Sequence, residues 1–108
     1  MKVAKMTIEV NGQKYEIKEI KSHEWRIFFK FDSEKREILT YEYIDKHCEI
    51  IAEMFDGLTT KELIENLTID NVMKIYRDIL EYLMTLLTSK FDETKKNELS
   101  VGEANNQP

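Results

Sequence analysis

Few side chains in this chain could carry chemistry, and they are not arranged for it. His47 and Cys48 are the only adjacent pair of candidate metal ligands, and His23 is the only other histidine. Neighbouring residues of a helix diverge by about 100°, and a tetrahedral zinc site needs four converging ligands. The sequence therefore predicts no metal site. Because Cys48 is the only cysteine, it also predicts no internal disulfide.

Nucleophilic and acid–base chemistry are equally weakly supported. Cys48 falls on the apolar face of a predicted helix, where a buried structural thiol is the expected role. The carboxylate pairs Glu49 with Glu53 and Asp78 with Glu81 have the spacing of solvated helix faces. The three glycines do not form a phosphate-binding loop. We therefore expect a protein without catalytic activity or cofactor.

Composition predicts one small domain. The chain has 108 residues, of which 42% are apolar and 34% charged, enough for a single modest core. No apolar run approaches the roughly 20 residues that cross a bilayer. A single cysteine fits a reducing compartment. We expect a cytoplasmic protein that makes no membrane contact.

Charge is distributed unevenly along the chain. Residues 1–30 hold seven Lys or Arg against four acids, and residues 31–60 hold three against eight, within a net charge of −5. Nucleic-acid binders usually concentrate basic residues on one face, so nucleic acid is not the expected partner. Trp25, Phe28 and Phe29 follow helical spacing, which favours core packing over base stacking. A nucleic-acid accessory module that uses the basic N-terminal third remains a weaker alternative.

The chain begins with a predicted β-hairpin. Two alternating segments flank Asn11-Gly12, the sequence typical of a type I′ turn. If Val10 faces Gln13 across this turn, Ile8 lies opposite Tyr15, and both strands present apolar side chains to one side. An isolated hairpin is only marginally stable, so this face must pack on helices or the edges must pair with another chain.

The rest of the chain predicts four helices. Ser22, Thr40, Thr59 and Asp70 are the expected N-caps, with a capping box at Thr59-Thr60-Lys61-Glu62. The fold class is α+β: a single domain over residues 1–90, in which the N-terminal hairpin packs on about four helices. The predicted bounds are 5–18 for the hairpin, about 23–32, 41–56, 60–66 and 70–90 for the helices, and 91–108 for a disordered polar tail.

The last helix carries more apolar surface than one packing partner requires. One row contains Val72, Ile75, Ile79, Leu83 and Leu86, and a second row beside it contains Met73, Tyr76, Leu80, Met84 and Leu87. We expect the surplus face to bind a partner, chiefly through Tyr76, Leu83, Met84 and Leu87, and to support self-association.

Four segments then follow one another in a distinctive order and spacing. They are Thr7 to Ile17, Trp25-Arg26 with its aromatic block, Tyr43 to Phe55, and Leu63 to Leu87. Together they resemble the tail assembly chaperones of long-tailed, siphovirus-type bacteriophages that infect Gram-positive bacteria. The resemblance covers about residues 1–90 and carries over no signature residue, because these families have no invariant catalytic motif.

The resemblance implies a non-enzymatic function. Such proteins bind the long, helical, aggregation-prone tape-measure protein and keep it soluble while tail-tube subunits polymerise around it. They act in the host cytoplasm during infection and are absent from the mature virion, and a longer frameshifted product usually accompanies the short one. The tape-measure protein is the implied partner, with the tail-tube protein as a second candidate. The alternative is a small acidic phage or bacterial regulatory protein whose residues 31–60 bind a host factor.

Overall fold

A computed structural model describes residues 3–102, and side chains for residues 3–89. The described chain has the predicted α+β fold, with an N-terminal antiparallel hairpin and four α-helices. The elements are β1 (Thr7–Val10), β2 (Gln13–Glu16), α1 (Ser22–Glu34), α2 (Thr40–Met54), α3 (Thr60–Asn66) and α4 (Ile69–Gly102), with a 3₁₀ turn at Lys35–Glu37.

The hairpin has the predicted turn and register. Asn11 and Gly12 both have positive φ, 53° and 81°, as a type I′ turn requires. Val10 pairs with Gln13, and Ile8 pairs with Tyr15. The apolar face of the hairpin lies on the helices, and its buried members are Val10, Tyr15 and Ile17.

The residues after α2 pair with the end of the hairpin. Ile17 forms an antiparallel bridge with Phe55, and the Lys18 N–H donates to the Met54 carbonyl at 2.8 Å. Because Phe55 is extended to make this bridge, α2 ends at Met54 rather than at the predicted residue 56. Gly57, three residues after the end of α2, has a φ of 76°.

One predicted helix cap is confirmed in detail. At the start of α3 the Glu62 N–H donates to the Thr59 hydroxyl, and the Thr59 N–H donates to the Glu62 carboxylate, both at 3.1 Å. This reciprocal pair is the capping box that the sequence predicts.

The other three cap assignments are wrong. Ser22 and Thr40 are the first residues of their helices, after Lys21 and Leu39, and α4 begins at Ile69, before Asp70. In α4 the Thr68 hydroxyl takes the capping role by accepting the Asn71 N–H at 3.2 Å. A cap must place its oxygen near the second or third helical amide, so an error of one or two residues changes which side chain can reach it.

The connection between α1 and α2 is more regular than predicted. The segment Ser33–Glu37 lies between the predicted helices 23–32 and 41–56, and it contains the last residues of α1 and the 3₁₀ turn. The Ser33 hydroxyl donates to the Lys30 carbonyl at 2.8 Å, and Lys30 forms an ion pair with Glu34 at 3.4 Å. These local contacts extend α1 beyond its predicted end at residue 32.

Helix α4 is longer than the predicted 70–90. It contains 34 residues, about 51 Å at the usual helical rise. No glycine or proline interrupts it before Gly102, which explains why the backbone stays helical through residues 91–102. The sequence also predicts disorder for residues 91–108. The side chains of these residues, and the backbone of residues 103–108, lie outside the described part of the chain.

Candidate functional site

The two apolar rows of α4 have different environments. The first row forms the centre of the core: Val72, Ile75, Ile79 and Leu83 are buried, and Leu86 is half-buried. The second row leaves the core along the helix. Tyr76 is buried, Leu80 is half-buried, and Met84 and Leu87 are 44% and 47% exposed. The surplus apolar surface is therefore confined to the C-terminal part of the second row.

Of the four predicted partner-binding residues, two are buried and two are exposed. Tyr76 is 3% exposed, because Phe28 of α1 and His47 of α2 pack on its ring, and Leu83 is fully buried in the core. Tyr76 and Leu83 therefore belong to the core of the subunit and not to a free surface. The candidate surface is corrected to Met84 and Leu87, for which partner binding stays a prediction.

Tyr76 is the contact point of three helices. Its ring stacks on Phe28 of α1 with the ring centroids 4.9 Å apart, and its hydroxyl donates to the Asp32 carboxylate at 2.5 Å. The Lys35 ammonium lies 3.0 Å from the same carboxylate and 4.6 Å from the centroid of the Tyr76 ring. His47 of α2 contacts the ring edge-on, with the centroids 4.6 Å apart. These contacts fix α1 and α2 on α4.

The ionisation of this cluster follows from its burial and hydrogen bonds. Burial and the neighbouring Asp32 raise the pKa of Tyr76, so its hydroxyl stays a donor. Burial raises the pKa of Asp32, but the hydrogen bond from Tyr76 and the ion pair with Lys35 outweigh it and leave that pKa below its ordinary value. Asp32 is therefore a carboxylate at neutral pH.

His47 is fully buried in its neutral form. Its Nδ1 lies 2.7 Å from the Tyr43 carbonyl oxygen, and because a carbonyl only accepts, Nδ1 must carry the proton. Nε2 is therefore unprotonated and buried, and no described residue forms a hydrogen bond with it. Burial lowers the pKa of His47, the hydrogen bond to Tyr43 opposes that effect, and Lys35 lowers the pKa further.

Cys48 lies beside His47 on the buried side of α2. Burial raises the pKa of the Cys48 thiol to about 11, so the thiol is protonated at neutral pH and is a poor nucleophile. Among the described residues, no three His, Cys, Asp or Glu side chains lie close enough to hold a metal ion. In the same part of the chain, no helix is both long and apolar enough to cross a bilayer.

Further apolar side chains are exposed where the sequence did not predict it. Leu39 and Tyr41 flank the start of α2 and are 58% and 77% exposed. Ile64 is exposed on α3, and Ile69 is exposed at the start of α4. Leu39 precedes the first residue of α2. Tyr41 has the helical spacing of the apolar face that contains Ile44 and Cys48, so periodicity gave no signal of its exposure.

Comparison of the chain with protein-family models, curated proteins and solved structures finds no match. The resemblance to tail assembly chaperones therefore rests on the order and spacing of segments alone. The function has to be argued from the surfaces of this molecule.

Leucines four residues apart on α4 provide a test of the corrected surface. We expect Leu83→Ala to lower the free energy of unfolding by about 2–5 kcal/mol, because it leaves a cavity in the core. Leu87→Ala, on the half-exposed row, should cost less than about 1 kcal/mol. Urea unfolding followed by circular dichroism measures both, and equal losses would contradict the assignment of Leu83 to the core.

Tyr76→Phe tests the hydrogen bond to Asp32. Removing the hydroxyl leaves the partly buried carboxylate with Lys35 alone, and we expect a loss of about 1–3 kcal/mol in the free energy of unfolding. Tyr41→Phe is the matched control, because the Tyr41 side chain is mostly exposed, and should change stability by less than about 0.5 kcal/mol. If both variants unfold at the same urea concentration as the parent, the bond does not stabilise the fold.

His47 should make the fold sensitive to mild acid. Its pKa is lower in the folded than in the unfolded chain, so the unfolded chain binds more protons as the pH falls below the ordinary value of about 6.5. Stability is therefore fully present above that pH and decreases over the range below it. Urea unfolding across this range measures the slope.

The two histidines provide the control for this pH dependence. His47→Gln should flatten the slope, whereas His23→Gln, at an exposed position, should preserve it. If His47→Gln does not fold, NMR titration of the His47 ring in the parent protein measures its pKa directly. A titration midpoint at or above about pH 6.5 would contradict the lowered pKa.

Proposed function

We propose that this chain is a non-enzymatic tail assembly chaperone that binds the tape-measure protein of a long-tailed phage and keeps it soluble during tail-tube assembly. The observation that supports this most directly is the exposed end of the second α4 row, at Met84 and Leu87. An exposed apolar stripe on a long helix fits the apolar face of a helical client. The resemblance of residues 1–90 to this family supplies the identity of the client.

The chemistry of the two side chains suits such a client. Methionine is flexible and polarizable, so Met84 can pack against irregular helical partners. Fully burying a side chain of this size contributes about 1.5–3 kcal/mol. About half of the surface of Met84 and of Leu87 is already buried within the subunit. After the entropy of association is subtracted, a contact of this size is weak and reversible. A chaperone that must release its client needs this property.

The titratable groups that are buried or held by hydrogen bonds support a binding function over catalysis. The Cys48 thiol is buried and protonated, and the His47 ring is fully enclosed by packed helices. Asp32 is engaged by Tyr76 and Lys35. Each of these groups has a structural role, so the proposed function uses surface contact.

Co-expression with a tape-measure protein tests the proposal. The parent protein should raise the soluble yield of the client, and the double variant Met84→Asp with Leu87→Asp should abolish that gain, because two carboxylates oppose burial of the stripe. The soluble fraction of the client after centrifugation is the measurement. Leu83 is excluded as a test position, since a buried aspartate would unfold the subunit.

The matched control places the same charges on another exposed apolar pair. Leu39→Asp with Tyr41→Asp should leave the chaperone effect intact. Circular dichroism and thermal melting must show that both double variants stay folded. No gain in client solubility from the parent protein, or an equal loss from both double variants, would contradict the proposal.

A second candidate function rests on a different surface. Asp45, Glu49 and Glu53 are exposed at four-residue spacing along α2. Glu49, Glu53 and Asp56 also line an open groove of about 680 Å³ between α2 and the start of α3. A small acidic regulatory protein would use this row to bind a basic host factor.

Ionic strength separates the two candidates. Binding through the acidic row should weaken steeply as salt is raised, because the Debye length falls from about 10 Å at 0.1 M to about 3 Å at 1 M. Apolar binding through Met84 and Leu87 should tolerate the same change. Salt-sensitive capture of a basic partner, unaffected by the Met84 and Leu87 variants, would favour the regulatory role.

A further inference from the structure

A second surface of the molecule combines an apolar floor with a basic rim. It is an open groove of about 650 Å³ beside α1, and we call it the α1 groove. Its apolar side chains are Ile20, Trp25 and Phe29, and its basic side chains are Lys21, Arg26 and Lys30. None of these six residues belongs to the α4 surface, so the two surfaces are independent.

The floor of the α1 groove is already formed in the free subunit. The Trp25 and Phe29 rings are one helical turn apart, with centroids 4.6 Å apart and planes tilted by 40°. Phe29 in turn packs edge-on against the fully buried Phe28 at 5.2 Å. A floor anchored to the core loses little side-chain entropy when a ligand binds.

The rim carries positive charge that the described part of the chain leaves largely uncompensated. Among the described residues, neither Lys21 nor Arg26 forms an ion pair, and Lys30 has only the exposed Glu34 at 3.4 Å. Such surface pairs contribute little and exchange readily. The nearby Glu24 carboxylate accepts the Lys21 backbone N–H at 2.9 Å and does not line the groove. In a chain of net charge −5, this is a local basic site.

We propose that the α1 groove binds an acidic amphipathic helix of a partner protein. Apolar side chains on one face of that helix would pack on Trp25 and Phe29, and acidic side chains at its edges would pair with Lys21, Arg26 and Lys30. Charge complementarity selects an acidic partner segment over a basic one.

The arrangement of the aromatic rings disfavours a nucleic acid as the occupant. Base stacking needs ring faces that are open and spaced for successive bases. Trp25 and Phe29 instead pack against each other and are half-buried. Three basic side chains with Glu24 and Glu34 close by also form a small footprint for a phosphate backbone.

Trp25 is the only tryptophan in the chain, so its fluorescence reports on the α1 groove directly. The probe is a synthetic peptide of about 16 residues, with leucines along one helical face and glutamates along the other. Titration into the intact protein should shift the Trp25 emission to shorter wavelength and saturate. Binding should weaken as salt is raised from about 0.05 to 0.5 M.

Charge reversal tests the basic rim. Arg26→Glu with Lys30→Glu should weaken binding of the acidic peptide by about tenfold or more, because the rim then repels the glutamates. Lys61→Glu is the matched control, since Lys61 is an exposed lysine on α3 outside the groove, and it should leave the affinity unchanged. Circular dichroism checks that both proteins are folded.

Four results would overturn the proposal. They are the absence of a Trp25 shift with the acidic peptide, an equal response to the same peptide with lysines in place of glutamates, stronger binding of an oligothymidine probe, and a Trp25 shift on concentrating the protein alone. The last two would assign the groove to a nucleic acid or to a second copy of this chain. The Met84 and Leu87 variants should still bind the peptide, so the chaperone proposal and this one fail separately.

Discussion

The fold depends on the contact of Tyr76 with two other helices. Its ring lies between Phe28 of α1 and His47 of α2, and its hydroxyl is bonded to Asp32. An aromatic side chain of this size contributes both a large apolar area and specific ring geometry. The cluster is also partly polar, and a buried polar group is costly when it lacks its partner. The contacts of Tyr76 therefore favour one specific position of α1 and α2 on α4 over looser arrangements of the same helices.

This contact also determines which part of α4 is left exposed. Helices α1 and α2 cover the second row at Tyr76, and the row emerges at Met84 and Leu87. The free surface is consequently near the C-terminal side of the packed region, on a helix that continues to Gly102. Two charged surfaces accompany it, the basic α1 groove and the acidic row on α2. The three surfaces share no residue.

Local signals in the sequence predicted the hairpin turn and one of the four helix caps. Asn11-Gly12 specified a type I′ turn, which in turn set the pairing of Ile8 with Tyr15. Thr59 and Glu62 formed the predicted capping box. One boundary prediction failed because the boundary depends on a contact from elsewhere in the chain. Helix α2 ends early because Phe55 bridges to Ile17, a residue 38 positions away in the sequence.

The sequence by itself determined the α+β class, the hairpin register and the existence of two apolar rows on α4, because these follow from side-chain periodicity and turn chemistry within short windows. Tertiary structure alone decided that Tyr76 and Leu83 are enclosed while Met84 and Leu87 are not. It also brought Asp32 to Tyr76 across 44 residues. Periodicity specifies which face of a helix is apolar, but the packing of other helices decides how much of that face water can reach.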